Sequence, residues 1–97
     1  MKLDLHDCTI EELRFIWATG ILTIIIWRYS TSLQKSVLCN LVLSGVTEVI
    51  IPQENPWGPS NAINNASFEN GQCKIEMQSG DLLKAKFSEV KFEENHS

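Results

Sequence analysis

The sequence predicts a mainly β protein, an antiparallel β-sandwich or open barrel of six to seven strands with at most one short helix. Segments rich in β-branched and aromatic residues are separated by turn residues at short, regular intervals, as in all-β domains. Two segments are apolar at nearly every position, and the C-terminal third alternates between apolar and polar residues. A chain of 97 residues can bury one core, so we expect a single β domain over residues 1–97.

The N-terminal part of the chain is predicted to form a strand and a hairpin. Leu3 and Leu5 alternate with polar residues, which indicates a half-buried strand that ends near Asp7. Residues 10–17 fit a helix by their capping-box start and their apolar spacing, and they fit a strand by alternation. We favour the strand, because the Ala-Thr-Gly turn at 18–20 then closes a hairpin with the next segment.

The middle of the chain is predicted to hold the central strands. Residues 21–27 and 37–43 are apolar on both faces, which is typical of strands covered on both sides. A polar connection over 29–36 separates them, and the turn residues Ser-Gly at 44–45 precede a further predicted strand over 46–51.

A proline-rich segment interrupts the strands at residues 52–61. Its three prolines prevent a regular hydrogen-bond ladder, so we expect a surface loop. The following residues, 62–68, fit either a short helical turn or an edge strand.

The C-terminal third predicts a hairpin with one solvated face. Residues 73–77 and 83–87 alternate around a Ser-Gly-Asp turn at 79–81. After residue 87 the apolar residues move from odd to even positions, which predicts a β-bulge or strand break near 88–89. We expect residues 93–97 to form a frayed polar tail.

The charge balance and hydropathy exclude two classes of partner. Twelve acidic and eight basic residues give a formal net charge of -4, so we expect no nucleic-acid partner. Residues 1–7 lack the apolar region of a signal peptide, and the longest apolar stretch, 15–27, is too short to span a membrane. Cys8, Cys39 and Cys73 lie on separate segments without CxxC spacing, which predicts reduced thiols and a cytoplasmic location.

No constellation of catalytic or metal-ligating residues is apparent. His6, Asp7 and Cys8 are adjacent in sequence, but successive side chains of a strand point to opposite faces, which argues against a catalytic triad. The other histidine, His96, lies near the end of the chain, and no metal-binding or nucleotide-binding motif occurs. We therefore predict that the protein is not an enzyme and takes no metal or cofactor.

The proline-rich loop is the candidate binding site. It carries a tryptophan on a stiff backbone beside amide and hydroxyl side chains, and pre-stiffened aromatic residues often dominate interfaces. Alternatively, the tryptophan folds back to cap an open end of the sandwich. The candidate binding residues are Asn55, Trp57, Ser60, Asn61 and Asn64.

Four short segments of the chain form a recognisable pattern: LHDC at 5–8, LSGV at 43–46, SNAIN at 60–64 and IEMQSGDLL at 75–83. In these segments the chain resembles the small bacterial β-domain proteins of the polymorphic-toxin immunity class and their uncharacterised relatives. It implies a compact antiparallel β domain in the cytoplasm that, in some members, neutralises a toxin by direct binding.

Three functional hypotheses follow from the loop and the resemblance. The leading one is a noncatalytic protein-binding module, of which an immunity-type inhibitor is one form, using the loop and an adjacent strand edge. The second is a small-ligand domain in which Trp57 stacks on a sugar-like ring and the neighbouring Asn and Ser residues supply hydrogen bonds. The third is a homo-oligomeric structural protein that pairs through an exposed strand edge.

Overall fold

The computed structural model describes residues 4–94, which form two four-stranded antiparallel sheets. No helix occurs among these residues. The first sheet has the strand order β1-β2-β3-β8 and the second has the order β4-β7-β6-β5. The strands are β1 (Thr9–Ile16), β2 (Ile21–Ser30), β3 (Lys35–Ser44), β4 (Glu48–Ile50), β5 (Ile63–Glu69), β6 (Gln72–Met77), β7 (Leu82–Lys86) and β8 (Glu89–Glu94).

The predicted mainly β, antiparallel class is confirmed, but the predicted number of six to seven strands is too low. The additional strand arises at the predicted break near 88–89. There the chain leaves the second sheet at the end of β7 and enters the first sheet as β8. The N–H of Ser88 donates a hydrogen bond to the carbonyl of Ser44 at 2.9 Å, which fixes the start of β8 beside β3. The shift in apolar phase therefore marks a crossing between sheets.

One hydrophobic core cluster draws on both sheets and on the segment that precedes β1. The sheets also meet through the backbone, because Thr9 forms an isolated bridge with Ala62 and the N–H of Ile63 donates to the carbonyl of Cys8 at 2.8 Å. The buried members of the cluster are Leu5, Cys8, Leu22, Ile24, Ile26, Cys39, Leu41, Leu43, Val46, Ile63, Phe68, Cys73, Ile75, Met77, Leu83 and Ala85.

Two segments that fitted either a helix or a strand are strands. Residues 10–17 fall almost entirely within β1, which confirms the favoured alternative, and residues 62–68 become β5 at the edge of the second sheet.

The predicted first strand is wrong over its described part, because residues 4–8 form a turn. There the carboxylate of Asp4 accepts the N–H of His6, and Asp7 adopts a positive φ of 67°. Alternation at two leucines contains no information about these local turn contacts or about the backbone hydrogen bonds that join the turn to Ile63 of β5.

The two apolar strands β2 and β3 lie in the interior of the first sheet, but only one face of each is buried. In β2, Ile24 and Ile26 are buried, whereas Ile25 is half-buried and Trp27 is 39% exposed. The prediction that both faces would be covered is wrong. On the outer face, Trp27 stands opposite Leu38 of β3, so cross-strand apolar neighbours cover part of each other without a second layer.

The three cysteines are buried and free, and a buried free cysteine behaves as a small apolar side chain. Burial raises the pKa of the Cys73 thiol to about 12, and burial also raises the pKa values of Cys8 and Cys39. These thiols are therefore protonated at neutral pH.

Two further findings concern the end of the chain and the membrane. β8 continues through Glu94, so Glu93 and Glu94 pair with β3 and do not belong to a frayed tail, while residues 95–97 lie outside the described part. No helix in the described residues is long and apolar enough to cross a membrane.

Candidate functional site

The proline-rich loop joins β4 to β5, and the turn between β6 and β7 holds it in place. The centre of this attachment is Asp81, which is buried with 6% of its surface exposed. Its carboxylate accepts hydrogen bonds from the backbone N–H groups of Glu54 at 2.8 Å and Asn55 at 3.0 Å. The hydroxyl of Ser79 donates a third bond at 2.7 Å. One carboxylate therefore fixes two consecutive loop amides, which a proline-interrupted segment cannot satisfy within a strand.

Hydrogen bonding keeps the Asp81 carboxylate charged. Burial alone would raise the pKa of this group, but the bonds from the Ser79 hydroxyl and from the Glu54 and Asn55 amides hold its pKa below the ordinary value. A carboxyl with a lowered pKa stabilises the folded state fully above its unfolded pKa of about 3.9. This stabilisation is lost as the pH falls through the lowered pKa of the folded state.

Asp81→Asn is expected to loosen the attachment of the loop to the turn. The neutral amide oxygen accepts the Glu54 and Asn55 N–H groups more weakly than a carboxylate does, and the amide nitrogen cannot accept from the Ser79 hydroxyl, so amide exchange at Glu54 and Asn55 should accelerate about tenfold or more. The acid-dependent release of these amides below about pH 4 should also disappear in this variant. Hydrogen exchange followed by NMR between pH 2 and pH 7 measures both effects. Asp7→Asn, at an exposed carboxylate, is the control and should leave both amides protected.

Trp57 is held by its backbone, while most of its side chain is exposed. Its N–H donates to the carbonyl of Ser79 at 2.9 Å, and its ring lies against Gly80. A Cβ at Gly80 would lie 2.9 Å from the ring atoms Cδ2 and Cε3 of Trp57. The indole is nevertheless 74% exposed and does not belong to the core cluster. Trp57 is thus presented to solvent from an ordered backbone and does not cap the end of the core.

A cleft of about 320 Å³ separates the loop from β1. Three of the candidate binding residues, Asn55, Ser60 and Asn61, line this cleft. Two of these side chains are engaged in local contacts, since the Asn61 amide donates to the carbonyl of Ile10 at 3.2 Å and the Ser60 hydroxyl accepts the N–H of Ala62 at 3.1 Å. The Asn61 side chain therefore holds the loop on β1, and the Ser60 hydroxyl stabilises the backbone at the end of the loop.

The other two candidate residues lie outside this cleft. Trp57 does not line it, and Asn64 is placed at the start of β5. The side-chain amide of Asn64 donates to Glu76, and the backbone carbonyl oxygen of Asn64 lies 2.6 Å from Nδ1 of His6. This backbone contact, together with the charge of Asp7, raises the pKa of His6 above its ordinary value. Asn64 therefore connects the N-terminal turn to the second sheet.

The cleft has an acidic lining. Glu11, Glu12 and Asp81 contribute carboxylates, and neither a lysine nor an arginine is among the lining residues. No three His, Cys, Asp or Glu side chains of residues 4–94 form a group that could hold a metal ion.

Sequence reasoning missed Asp81 as the residue that organises the site. The Ser-Gly-Asp sequence is sufficiently explained as a hairpin turn, and the amides that Asp81 binds lie 26 and 27 positions earlier in the chain.

Comparisons of the chain with protein-family models, curated proteins and solved structures find no match.

Proposed function

We propose that the protein is a noncatalytic protein-binding module whose partner contacts the loop around Trp57. The observation that carries this proposal is a tryptophan with 74% of its surface exposed on a backbone fixed by Ser79 and Asp81. Tryptophan is enriched among residues that dominate interfaces, and an ordered backbone lowers the entropic cost of association.

The partner is proposed to be a basic protein, and an immunity-type inhibitor of a toxin is the form of this function that the resemblance implies. The net charge of -4 and the carboxylates beside the loop favour a basic surface. The proposal includes the predicted β-sandwich, which the core shared by both sheets supports, and the cytoplasmic location, which the three free thiols support.

The small-ligand alternative has weaker support. A sugar-like ligand would need Trp57 and the neighbouring Asn and Ser side chains around one cavity. Trp57 lies outside the cleft that Asn55, Ser60 and Asn61 line, and Asn64 is bonded to Glu76. These positions favour a broad protein contact over an enclosed ligand pocket.

Trp57→Ala is expected to weaken partner binding while the fold stays intact. Loss of a hot-spot tryptophan costs about 2 kcal/mol or more, which corresponds to about a 30-fold increase in Kd. The melting temperature should change little, because the side chain is mostly exposed. The wild-type protein is used as bait to capture a partner from lysate or from the product of a neighbouring gene. The captured partner is then titrated against the wild type and against Trp57→Ala to give both Kd values.

Trp17→Ala is the matched control for this experiment. Trp17 is 89% exposed in the turn between β1 and β2, away from the loop, so its removal should leave capture unchanged. Equal capture by the wild type and by Trp57→Ala would contradict the proposal. A collapse of the melting temperature in Trp57→Ala would show instead that the ring stabilises the fold.

A further inference from the structure

The outer face of the first sheet carries an apolar patch that stays partly exposed in the described part of the chain. Successive side chains of a strand point to opposite faces, so the residues between the buried ones of β2 and β3 form this face. Trp27 is 39% exposed, and its neighbours Ile25 and Leu38 are half-buried. The indole N–H of Trp27 donates to Glu11 at 3.2 Å, so the ring can be covered without losing a hydrogen bond. The apolar patch consists of Ile21, Ile25, Trp27, Leu38 and Val42.

Charged side chains border the apolar patch on both sides. On β1, Glu12 and Arg14 form an ion pair. On β8, Glu93 and Lys91 form a second ion pair at 2.9 Å. The strand registers place the two acids, Glu12 and Glu93, in one row across the sheet, and the two bases lie together in the next row on this face. An apolar patch within a polar rim is typical of an interaction site.

The charge pattern makes this face complementary to a second copy of itself in one orientation. If two faces meet about a two-fold axis parallel to the strands, β1 lies over β8 and Glu12 stands opposite Glu93, so like charges meet. If the axis runs across the strands between the two rows, each strand lies over its own equivalent. Glu12 then stands opposite Arg14 of the second copy, and Glu93 stands opposite Lys91. The charges at both borders therefore favour the same orientation and register.

We propose that the chain forms a weak homodimer in which the outer faces of two first sheets pack against each other, with the apolar patches at the centre and the charges at the rim. Such an interface is isologous, since each copy contributes the same residues. Strands lie about 4.8 Å apart and rise about 3.4 Å per residue, so four strands of about eight residues cover about 500 Å² on each copy. The total of about 1,000 Å² is at the lower limit of specific interfaces, which predicts a reversible dimer.

The dimer does not use the surface proposed to bind a partner. Trp57 lies in the loop between β4 and β5, and its contacts are to the turn between β6 and β7 of the second sheet. Packing through the face also needs no free strand edge, so the hydrogen bonds between Ile10 at the outer edge of β1 and Asn61 stay in place. Each contact can therefore form without the other.

Charge reversal at both borders tests this dimer in the full chain. Sedimentation equilibrium in low-salt buffer, from micromolar to millimolar protein, should show reversible dimerisation of the wild type. Arg14→Glu puts acids in both rows of the β1 border, and Lys91→Glu does the same at the β8 border, so each variant should dimerise about tenfold more weakly or worse. Mixing each with the opposite reversal on its own strand, Glu12→Arg or Glu93→Lys, should restore the association. All four side chains are exposed, so circular dichroism should show native spectra for every variant.

Lys84→Glu is the matched control, since it makes the same change of net charge at an exposed position on the outer face of the second sheet. It should leave dimerisation unchanged. A wild type that stays monomeric at every concentration would overturn the proposal. Dimerisation that responds to reversals at only one border would also overturn it, because pairing through the edge of β1 or β8 would involve that strand alone. The same holds for reversals that their opposite variants do not rescue.

Discussion

Leu41→Ala is expected to lower the free energy of unfolding by about 3 to 4 kcal/mol. Leu41 lies in the middle of β3 with no exposed surface, between Ile24 of β2 and Phe92 of β8. The substitution removes buried methyl groups and leaves a cavity that the neighbouring strands can fill only in part. Equilibrium denaturation in urea measures the loss, and an unchanged m-value would show that the variant unfolds in the same cooperative transition.

Leu33→Ala is the matched control because it makes the same chemical change outside the core. Leu33 lies in the turn between β2 and β3 and is 54% exposed, so its truncation should change the stability by no more than about 0.5 kcal/mol. Equal losses from the two variants would mean that β3 does not contribute the centre of the core.

The alternation of apolar and polar residues predicted best those strands that have one solvent-exposed face and one buried face. β6 and β7 follow it closely, with Cys73, Ile75 and Met77 buried on one strand and Leu83 and Ala85 on the other. It failed where the outcome depends on distant residues. The turn over residues 4–8 is bonded to β5, and β8 belongs to a different sheet from β7. A single sequence contains no measure of such long-range pairing.

The candidate site was predictable as a loop, but its geometry was not. The prolines correctly indicated irregular structure over 52–61, which connects β4 to β5. The position of Trp57 involves contacts with Ser79 and Gly80, which lie in a turn more than twenty residues later in the sequence. The grouping of Asn64 with the loop followed from sequence proximity, yet its contacts are to His6 and Glu76.

Gly80→Ala is expected to lower the stability by about 2 kcal/mol or more, because two effects act at this position. Gly80 has a φ of +92°, which a residue with a Cβ adopts only under strain. The added Cβ would also lie 2.8 Å from Cγ of Pro56 and 2.9 Å from the Trp57 ring, so the loop must move. Thermal or urea denaturation gives the stability, and hydrogen exchange at Trp57, whose N–H is bonded to Ser79, reports the displacement of the loop.

Gly58→Ala separates backbone strain from steric contact. Gly58 has a φ of +113°, but nothing lies within 4 Å of the position that its Cβ would take, so only the strain should appear, at about 1 kcal/mol. In the Gly80→Ala background, Trp57→Ala should recover part of the lost stability, because the two side chains would no longer collide. Gly80→Ala should also weaken partner binding although the tryptophan is retained, because the loop no longer presents it in the same position. Unchanged binding by Gly80→Ala would show that the partner tolerates a displaced tryptophan, and preorganisation would then not be the source of affinity.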